Sequence, residues 1–310
     1  MSRETENAMR KMMEYVEANR SEKADKAEIE TLIQQYMARQ ADFAGDEDAS
    51  PDAADYLELA EDASSRRKKL EYLNKALALE PDNLDAARML AEEQTKTADE
   101  YLEALAALIA KADRQLEEEG TFRESTGDFW LVFETRPYMR LRCEYMDVLV
   151  DCGKLRAAAA EGRRMLELCE GDNLGIRFRL MHIYALLEEA EAAEKLFEKY
   201  GDNDESLMLL PLTILYYKLN RPEKAAELLK RLASSNKDTK KFFSAMVNGK
   251  LEQYFNAMSP YGYRPYSMDE LMMSVADNDF LYCTVTEFFL WAEAQLKQTG
   301  GKKTVKKAKK

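Results

Sequence analysis

Apolar residues recur along this chain at the three- and four-residue steps of an amphipathic helix. Met9, Met12, Met13 and Val16 trace one face across residues 3–18, and Ile29, Leu32, Ile33 and Tyr36 trace another across 26–39. AGDEDASPD at 44–52 interrupts the pattern with Gly, Pro and acids, which predicts a loop. Residues 53–63 and 65–79 form the next pair, ending before Pro81, because proline cannot continue a helix beyond its first turn. The stretch 85–119 is almost free of breakers, with Leu102, Leu105, Ile109 and Leu116 on one face. It exceeds an ordinary helix, so it reads as two helices or as one bent near residues 95–97. The segment 119–137 holds two Gly, a Pro and the aromatics Phe122, Phe129, Trp130 and Phe133. It predicts a short helix between loops, with aromatics plugging a joint.

From residue 138 the pattern becomes periodic. Helix pairs are predicted at 138–151 with 154–168, 174–187 with 190–200, and 206–219 with 222–233, with turns at 152–153, 187–189 and 220–221. Asp172 and Asn173, then Asp202, Asn203 and Asp204, are natural N-caps, and Pro222 suits a first helical position. Ala158, Ala192 and Ala225 each open a second helix, at spacings of 34 and 33 residues. A period of that size marks stacked helical hairpins, an all-α solenoid. Beyond it lie a helix at 239–257, a Tyr/Pro-rich turn at 259–266, a capping box from Ser267 to Glu270, and an aromatic helix at 284–298. The expected organisation is therefore an N-terminal pair at 1–43, a degenerate repeat with the long helix and aromatic joint at 53–137, three repeats at 138–237, a helical cap at 238–299 and a disordered Lys-rich tail at 300–310.

Composition narrows the class further. Eight Val and six Ile in 310 residues are too few β-branched residues for a substantial sheet. Charged residues make up 33%, and the mean hydropathy of -0.54 fits solvated helix faces. No apolar run approaches membrane-spanning length, and MSRETENAMRKMMEYVE is too charged for a secretory signal. The four cysteines, Cys143, Cys152, Cys169 and Cys283, form no disulfide framework. These features predict a cytoplasmic protein with reduced thiols. The net charge is -13, and GGKKTVKKAKK at the end holds six Lys and no acid. Without it the chain carries 39 basic against 58 acidic residues, or -19. Such a body repels nucleic acid, whereas the tail attracts it.

The hairpin spacing resembles the tetratricopeptide repeat, a 34-residue helix-turn-helix unit. Ala158, Ala192 and Ala225 match its small residue at the helix crossing, and Leu196 and Leu229 match the large apolar position four residues on, where Gly162 departs. The turn glycine is kept as Gly153 and replaced by Leu187 and Asn220. The closing proline is matched by Pro81 but not by Glu170 or Lys237. A longer likeness runs over roughly 65–295. It takes in KALALEPDNLDAARMLAEE, FWLVFETRPYMRLR, GDNLGIRF, and the Tyr-Pro-Tyr-Ser-Met-Asp-Glu pattern with a late Trp. These segments resemble bacterial tetratricopeptide proteins related to the suppression-of-tumorigenicity family. The resemblance implies a right-handed α-solenoid, with no established chemistry.

The candidate chemistry is sparse. His182 is the only histidine, flanked by Met181 and Ile183, and reads as a packing residue rather than a metal ligand or general base. Cys143 and Cys152 fall about 2.5 turns apart and read as small core fillers. There is no Cys-x-x-Cys, GxGxxG, GxxxxGK[ST] or GxSxG. Asp202, Asp204 and Glu205 lack the twelve-residue calcium loop and read as caps. Neither a metal nor a cofactor is expected. Arg136, Arg140, Arg142, Arg177 and Arg179 stand out in an acidic chain. In tetratricopeptide scaffolds the first helices line the concave groove. The resemblance thus places Arg140, Asp147, Arg177, Met181, Tyr184, Ile214, Tyr217 and Lys218 there, a surface suited to an extended peptide or partner helix. Two guanidiniums on one wall would grip a carboxylate or phosphate; alternatively they pair with acids such as Glu134, Glu144 or Asp147 and lock the repeats. Cys143, Asp147 and Met181 occupy the places of the carboxylate clamp that chaperone adaptors of this kind carry, so a chaperone-tail receptor is not indicated.

The functional expectation is a non-enzymatic scaffold that binds a protein or peptide in a concave groove. The alternative is a nucleic-acid-associated factor acting through the basic C-terminal tail. An enzyme and a membrane protein are the classes the sequence disfavours.

Overall fold

A computed structural model describes residues 3–21, 23–42, 51–258 and 262–301. It is all-helical, with no strand among the described residues. The chain divides into two compact units, Met1–Cys152 and Gly153–Lys310.

The first unit holds α1 (Arg3–Asn19), α2 (Lys26–Asp42), α3 (Ala53–Glu61), α4 (Arg66–Leu79), α5 (Leu84–Gln94), α6 (Ala98–Glu118), α7 (Thr121–Ser125) and α8 (Arg136–Asp151). Sequence neighbours pack together, as short connections dictate. Ala53, Leu57 and Ala60 of α3 meet Leu73 and Ala76 of α4 and Ala86 and Met89 of α5 in one buried cluster. The side chains of Asp52, Ser65, Asn83 and Thr97 accept backbone N–H groups at the starts of α3, α4, α5 and α6. The break at residues 95–97 is complete: α5 ends at Gln94, and Thr97 caps a separate α6. The aromatic joint is internal. Phe129 is fully buried, stacks on Phe122 at 5.4 Å and lies 5.9 Å from the Tyr138 ring.

The second unit holds α9 (Leu155–Leu168), α10 (Ile176–Leu187), α11 (Ala190–Tyr200), α12 (Ser206–Lys218), α13 (Pro222–Ser235), α14 (Thr239–Val247), α15 (Glu252–Phe255), α16 (Met268–Ala276), α17 (Asp279–Tyr282) and α18 (Thr286–Gly301). Its centre is α12, in which every residue from 206 to 216 is buried. A helix apolar all round must be covered on every side. Here α10, α11, α13 and α16 cover it.

Two sequence expectations are corrected. The division falls after Cys152, inside the expected 138–168 hairpin, because α8 packs on α5 and α6 of its own unit. The repeat phase is also set differently. Gly153, Glu188 and Asn220 have φ of 68°, 60° and 54°, and α9, α11 and α13 each begin two residues later. The residue five places after each turn is Ala158, Ala193 or Ala225, and all three are fully buried. Ala192 is only half-buried, so the second repeat carries one extra residue ahead of its turn, at Glu188 rather than Leu187.

The expected loop at 44–52 lies outside the described residues up to 50, as does the 259–261 part of the Tyr/Pro turn. Of the expected disordered tail, Gly300 and Gly301 continue α18, and residues 302–310 lie outside the described residues.

Candidate functional site

The expected groove residues of the second unit are spent internally. Met181 and Ile214 are fully buried, and Tyr184 is 2% exposed. Tyr184 packs where α9 and α10 meet, and its hydroxyl accepts from Arg163 at 3.4 Å. Tyr217 lies between the rings of Phe288 and Trp291, at 5.4 and 5.2 Å. Lys218 donates to the carbonyls of Ala185 and Leu186 at 2.9 and 2.6 Å, so it closes the C-terminus of α10. Arg177 pairs with Asp172 at 2.8 Å and Glu205 at 3.3 Å, and it stacks on Phe178. The open trough expected here is thus filled by the chain itself: α16 packs on α12, α17 packs on α10, and α18 supplies Phe288 and Trp291. The cause is legible in α12, whose unbroken apolar circumference cannot be left facing water.

His182 is fully buried. Its Nδ1 lies 2.7 Å from the Phe178 carbonyl, an acceptor only, so Nδ1 carries the proton and donates. Nε2 is then the acceptor, 2.9 Å from both the Ser274 and Tyr282 hydroxyls, which lie 2.6 Å apart; one hydroxyl donates to Nε2 and the other donates to that hydroxyl. Burial pulls the pKa of this histidine from 6.5 down to about 3. The imidazole is a neutral pin between α10, α16 and α17.

In the first unit, Arg140 is held on both edges. Nε and Nη2 face the Asp85 carboxylate at 3.0 and 2.5 Å, and Nη1 reaches Glu6 at 3.0 Å. Burial alone would lower the Arg140 pKa; bonds to Asp85 and then Glu6 outweigh it and keep the charge fixed. Arg136 donates to the Trp130 carbonyl at 2.8 Å, stacks on Phe133 at 4.2 Å and faces Glu6 at 3.6 Å. Arg142 pairs with Asp113 at 3.2 Å and stacks on Tyr138. These arginines pair with native acids, among them Glu6, Asp85, Asp113, Asp172 and Glu205. Asp147 is half-buried on α8. In the second unit, Arg179 donates to the Asp277 carbonyl.

A cleft of about 750 Å³ is open in the first unit, bounded by the α4–α5 turn, α6, α7 and the start of α8. Leu84, Leu116, Val132 and Pro137 give it apolar walls. Glu80, Asp82, Glu119, Glu124 and Glu134 rim it, and no Lys or Arg lines it. Pro81 and the Asn83 cap turn the chain at one side, and the left-handed Gly120 turns it at the other, so backbone geometry places the acids. Asp82 is paired with Lys111 at 2.7 Å outside the lining, while Glu119 and Glu80 accept only from Gln115 and Asn83. Glu124 pairs with Arg123 at 3.5 Å, which leaves Glu80, Glu119 and Glu134 as the rim carboxylates without an ion pair among the described residues. The sequence reading missed this cleft. Its signal was the acids flanking two segments, 80–84, read as a helix end at Pro81, and 119–137, read as an aromatic joint.

Among the described residues, no group of three or more His, Cys, Asp or Glu is placed to hold a metal ion, and no helix is long and apolar enough to cross a membrane. The four cysteines are free. No family model matches the chain, and no curated protein matches it.

Proposed function

We propose that this protein is a non-enzymatic scaffold of tetratricopeptide-like helical hairpins that binds an extended polypeptide segment bearing basic and apolar side chains. The observation that carries this reading is the 750 Å³ cleft of the first unit, with apolar walls and an acidic rim. Its size falls in the range of ligand-binding clefts, and its walls offer burial while its rim selects for charge. The left-handed turns followed five residues later by buried alanines support the hairpin-repeat part of the reading. The four free thiols fit a reducing cytoplasm.

A photo-crosslinking residue at the exposed Gln115 on the cleft wall tests the proposal. Cross-linking in cells should yield a discrete protein adduct that a Lys/Leu-rich competitor peptide suppresses and that Glu119→Lys plus Glu124→Lys, both lining the cleft, abolishes. Adducts that persist in the double variant would sink the cleft as the binding site.

A further inference from the structure

The N-terminal helix α1 is held to the rest of the first unit in an unusual way. None of its described side chains, from Thr5 to Asn19, is fully buried. Beneath it runs a cavity of about 190 Å³, lined by Glu6, Asn7 and Arg10 on one side and by Leu57, Asp85 and Arg140 among those opposite. The helix packs on α2, where the Tyr15 and Tyr36 rings lie 5.5 Å apart, and its attachments to the seat below are ionic. Glu6 meets Arg140 at 3.0 Å and Arg136 at 3.6 Å, and Lys11 meets Asp52 at 3.0 Å and Asp55 at 3.1 Å.

The receiving groups are fixed without α1. Arg140 is anchored by two bonds to Asp85. Arg136 is anchored by the Trp130 carbonyl and the Phe133 ring. Asp52 and Asp55 lock each other in a reciprocal capping box, with both N–H to carboxylate distances at 2.8 Å. If α1 lifts away, a rigid charge template remains, so a replacement would not have to order the seat. A loosely buried occupant on a preorganised seat is an exchangeable one.

We infer that the seat under α1 is a helix-docking site, with α1 as its resident occupant. It takes an amphipathic helix of another polypeptide that carries a carboxylate and, four or five residues later, a lysine or arginine. On α1 those positions are Glu6, Arg10 and Lys11, which places the opposite charges about 6–7.5 Å apart along the axis. The carboxylate lands on Arg136 and Arg140, and the cation lands on Asp52 and Asp55. The cavity under α1 shares Glu80, Asn83, Glu134 and Pro137 with the acid-rimmed cleft, but Arg140 lines only the cavity, and none of Asp52, Asp55, Arg136 and Arg140 lines the cleft, so substitutions at these four test this seat alone.

The probe is a labelled, acetylated and amidated peptide of residues 3–19, added to the full chain and followed by fluorescence anisotropy. The chain carrying Glu6→Arg and Lys11→Glu cannot seat its own α1. It should bind the peptide at least tenfold tighter than the unaltered chain does, and adding Arg140→Glu should remove that gain. A peptide with the same two charges exchanged should not compete. Equal affinity for the altered and unaltered chains, or equal binding of the charge-exchanged peptide, would overturn the proposal. Amide exchange on the unaltered chain tests it without any substitution. The α1 amides should exchange at least tenfold faster than those of α8, and faster still with peptide present. Equal protection of α1 and α8 would refute it.

Discussion

The carboxylate of Glu270 accepts the backbone N–H of Ser206 at 2.8 Å across 64 residues of sequence. It also accepts the Ser206 hydroxyl at 3.1 Å and the Tyr266 N–H at 2.5 Å. Asn236 adds a bond to the Ser206 hydroxyl and another to the Ser267 carbonyl, both at 2.9 Å. The sequence marks Ser267 and Glu270 as a capping box, but only Ser267 caps locally, accepting from Asp269. Glu270 bonds the N–H of Tyr266, one residue before the Ser267 cap, and with the same carboxylate satisfies the start of α12. One carboxyl therefore ties α16 to the central helix, and it is 1% exposed.

Replacing Glu270 by alanine orphans the buried Ser206 N–H and removes the partner of the half-buried Tyr266 N–H, and should cost about 2–3 kcal/mol in urea unfolding. Glutamine keeps one acceptor oxygen and should cost less. Burial raises the Glu270 pKa, and the donated bonds from Tyr266 and Ser206 only partly oppose it. A carboxyl raised in the fold contributes most below the ordinary glutamate range and loses that contribution as pH climbs through the raised value. The penalty of Glu270→Gln should therefore be larger near pH 4 than at pH 8. A penalty that grows with pH would contradict the assignment.

Because His182 is the only histidine, its imidazole can be followed without ambiguity. Burial depresses its pKa to about 3, below the ordinary 6.5 of an unfolded chain. The stability it contributes is complete above pH 6.5 and is lost as pH falls through the window toward 3, by about 1.4 kcal/mol per unit. The ring proton resonances of the folded protein should stay constant from pH 8 to 4. The wild-type unfolding free energy should decline across that window more steeply than that of His182→Gln. A titration midpoint near 6.5 in the folded state would show that the ring is not sealed between Ser274 and Tyr282.

Much of this architecture was legible because helices write their own periodicity. The pairing of 53–79, the break at 95–97 and the positions of α9 to α13 follow from apolar spacing and turn residues. Ala192 was misread because adjacent alanines look alike in sequence, whereas the crossing point is fixed by backbone geometry at Glu188. A glutamate in the left-handed region carries no compositional flag. The groove failed for a different reason. Met181, Tyr184 and Ile214 do occupy first helices, but α16 and α17, which pack on α12 and α10, come from up to a hundred residues further along the chain. Local pattern contains no record of such folding back, except in the uniform apolarity of α12. Arg140 and Arg177 read from sequence as groove arginines or as partners of nearby acids, yet the acids that hold Arg140, Glu6 and Asp85, lie 134 and 55 residues away.

The crossing assignment can be checked directly. Ala193 is fully buried and Ala192 half-buried. Enlarging Ala193 to leucine should overpack the α11 crossing and cost about 1–3 kcal/mol. The same change at Ala192 should cost less than about 1 kcal/mol. Calorimetric melts of the pair, recorded side by side, would reverse in order if the phase ran through Ala192.

Two glycines separate steric from conformational causes. At Gly153 an added Cβ meets nothing within 4 Å, but φ is 68°, so only the left-handed backbone resists substitution. Alanine there should cost about 1–2 kcal/mol. Asparagine, which enters this region more easily and already serves as Asn220 in the equivalent turn before α13, should recover part of the loss. Gly201 is the opposite case. Its φ of -91° suits any residue, yet a Cβ would lie 2.5 Å from the Phe197 carbonyl oxygen and 2.6 Å from the Phe197 ring. Alanine and asparagine should both be destabilising there, by about 1–3 kcal/mol, with no advantage to asparagine. The decisive measurement is the difference between the Asn and Ala variants at each site. A gain for asparagine at Gly201, or none at Gly153, would show that the two turns constrain the chain for reasons other than these.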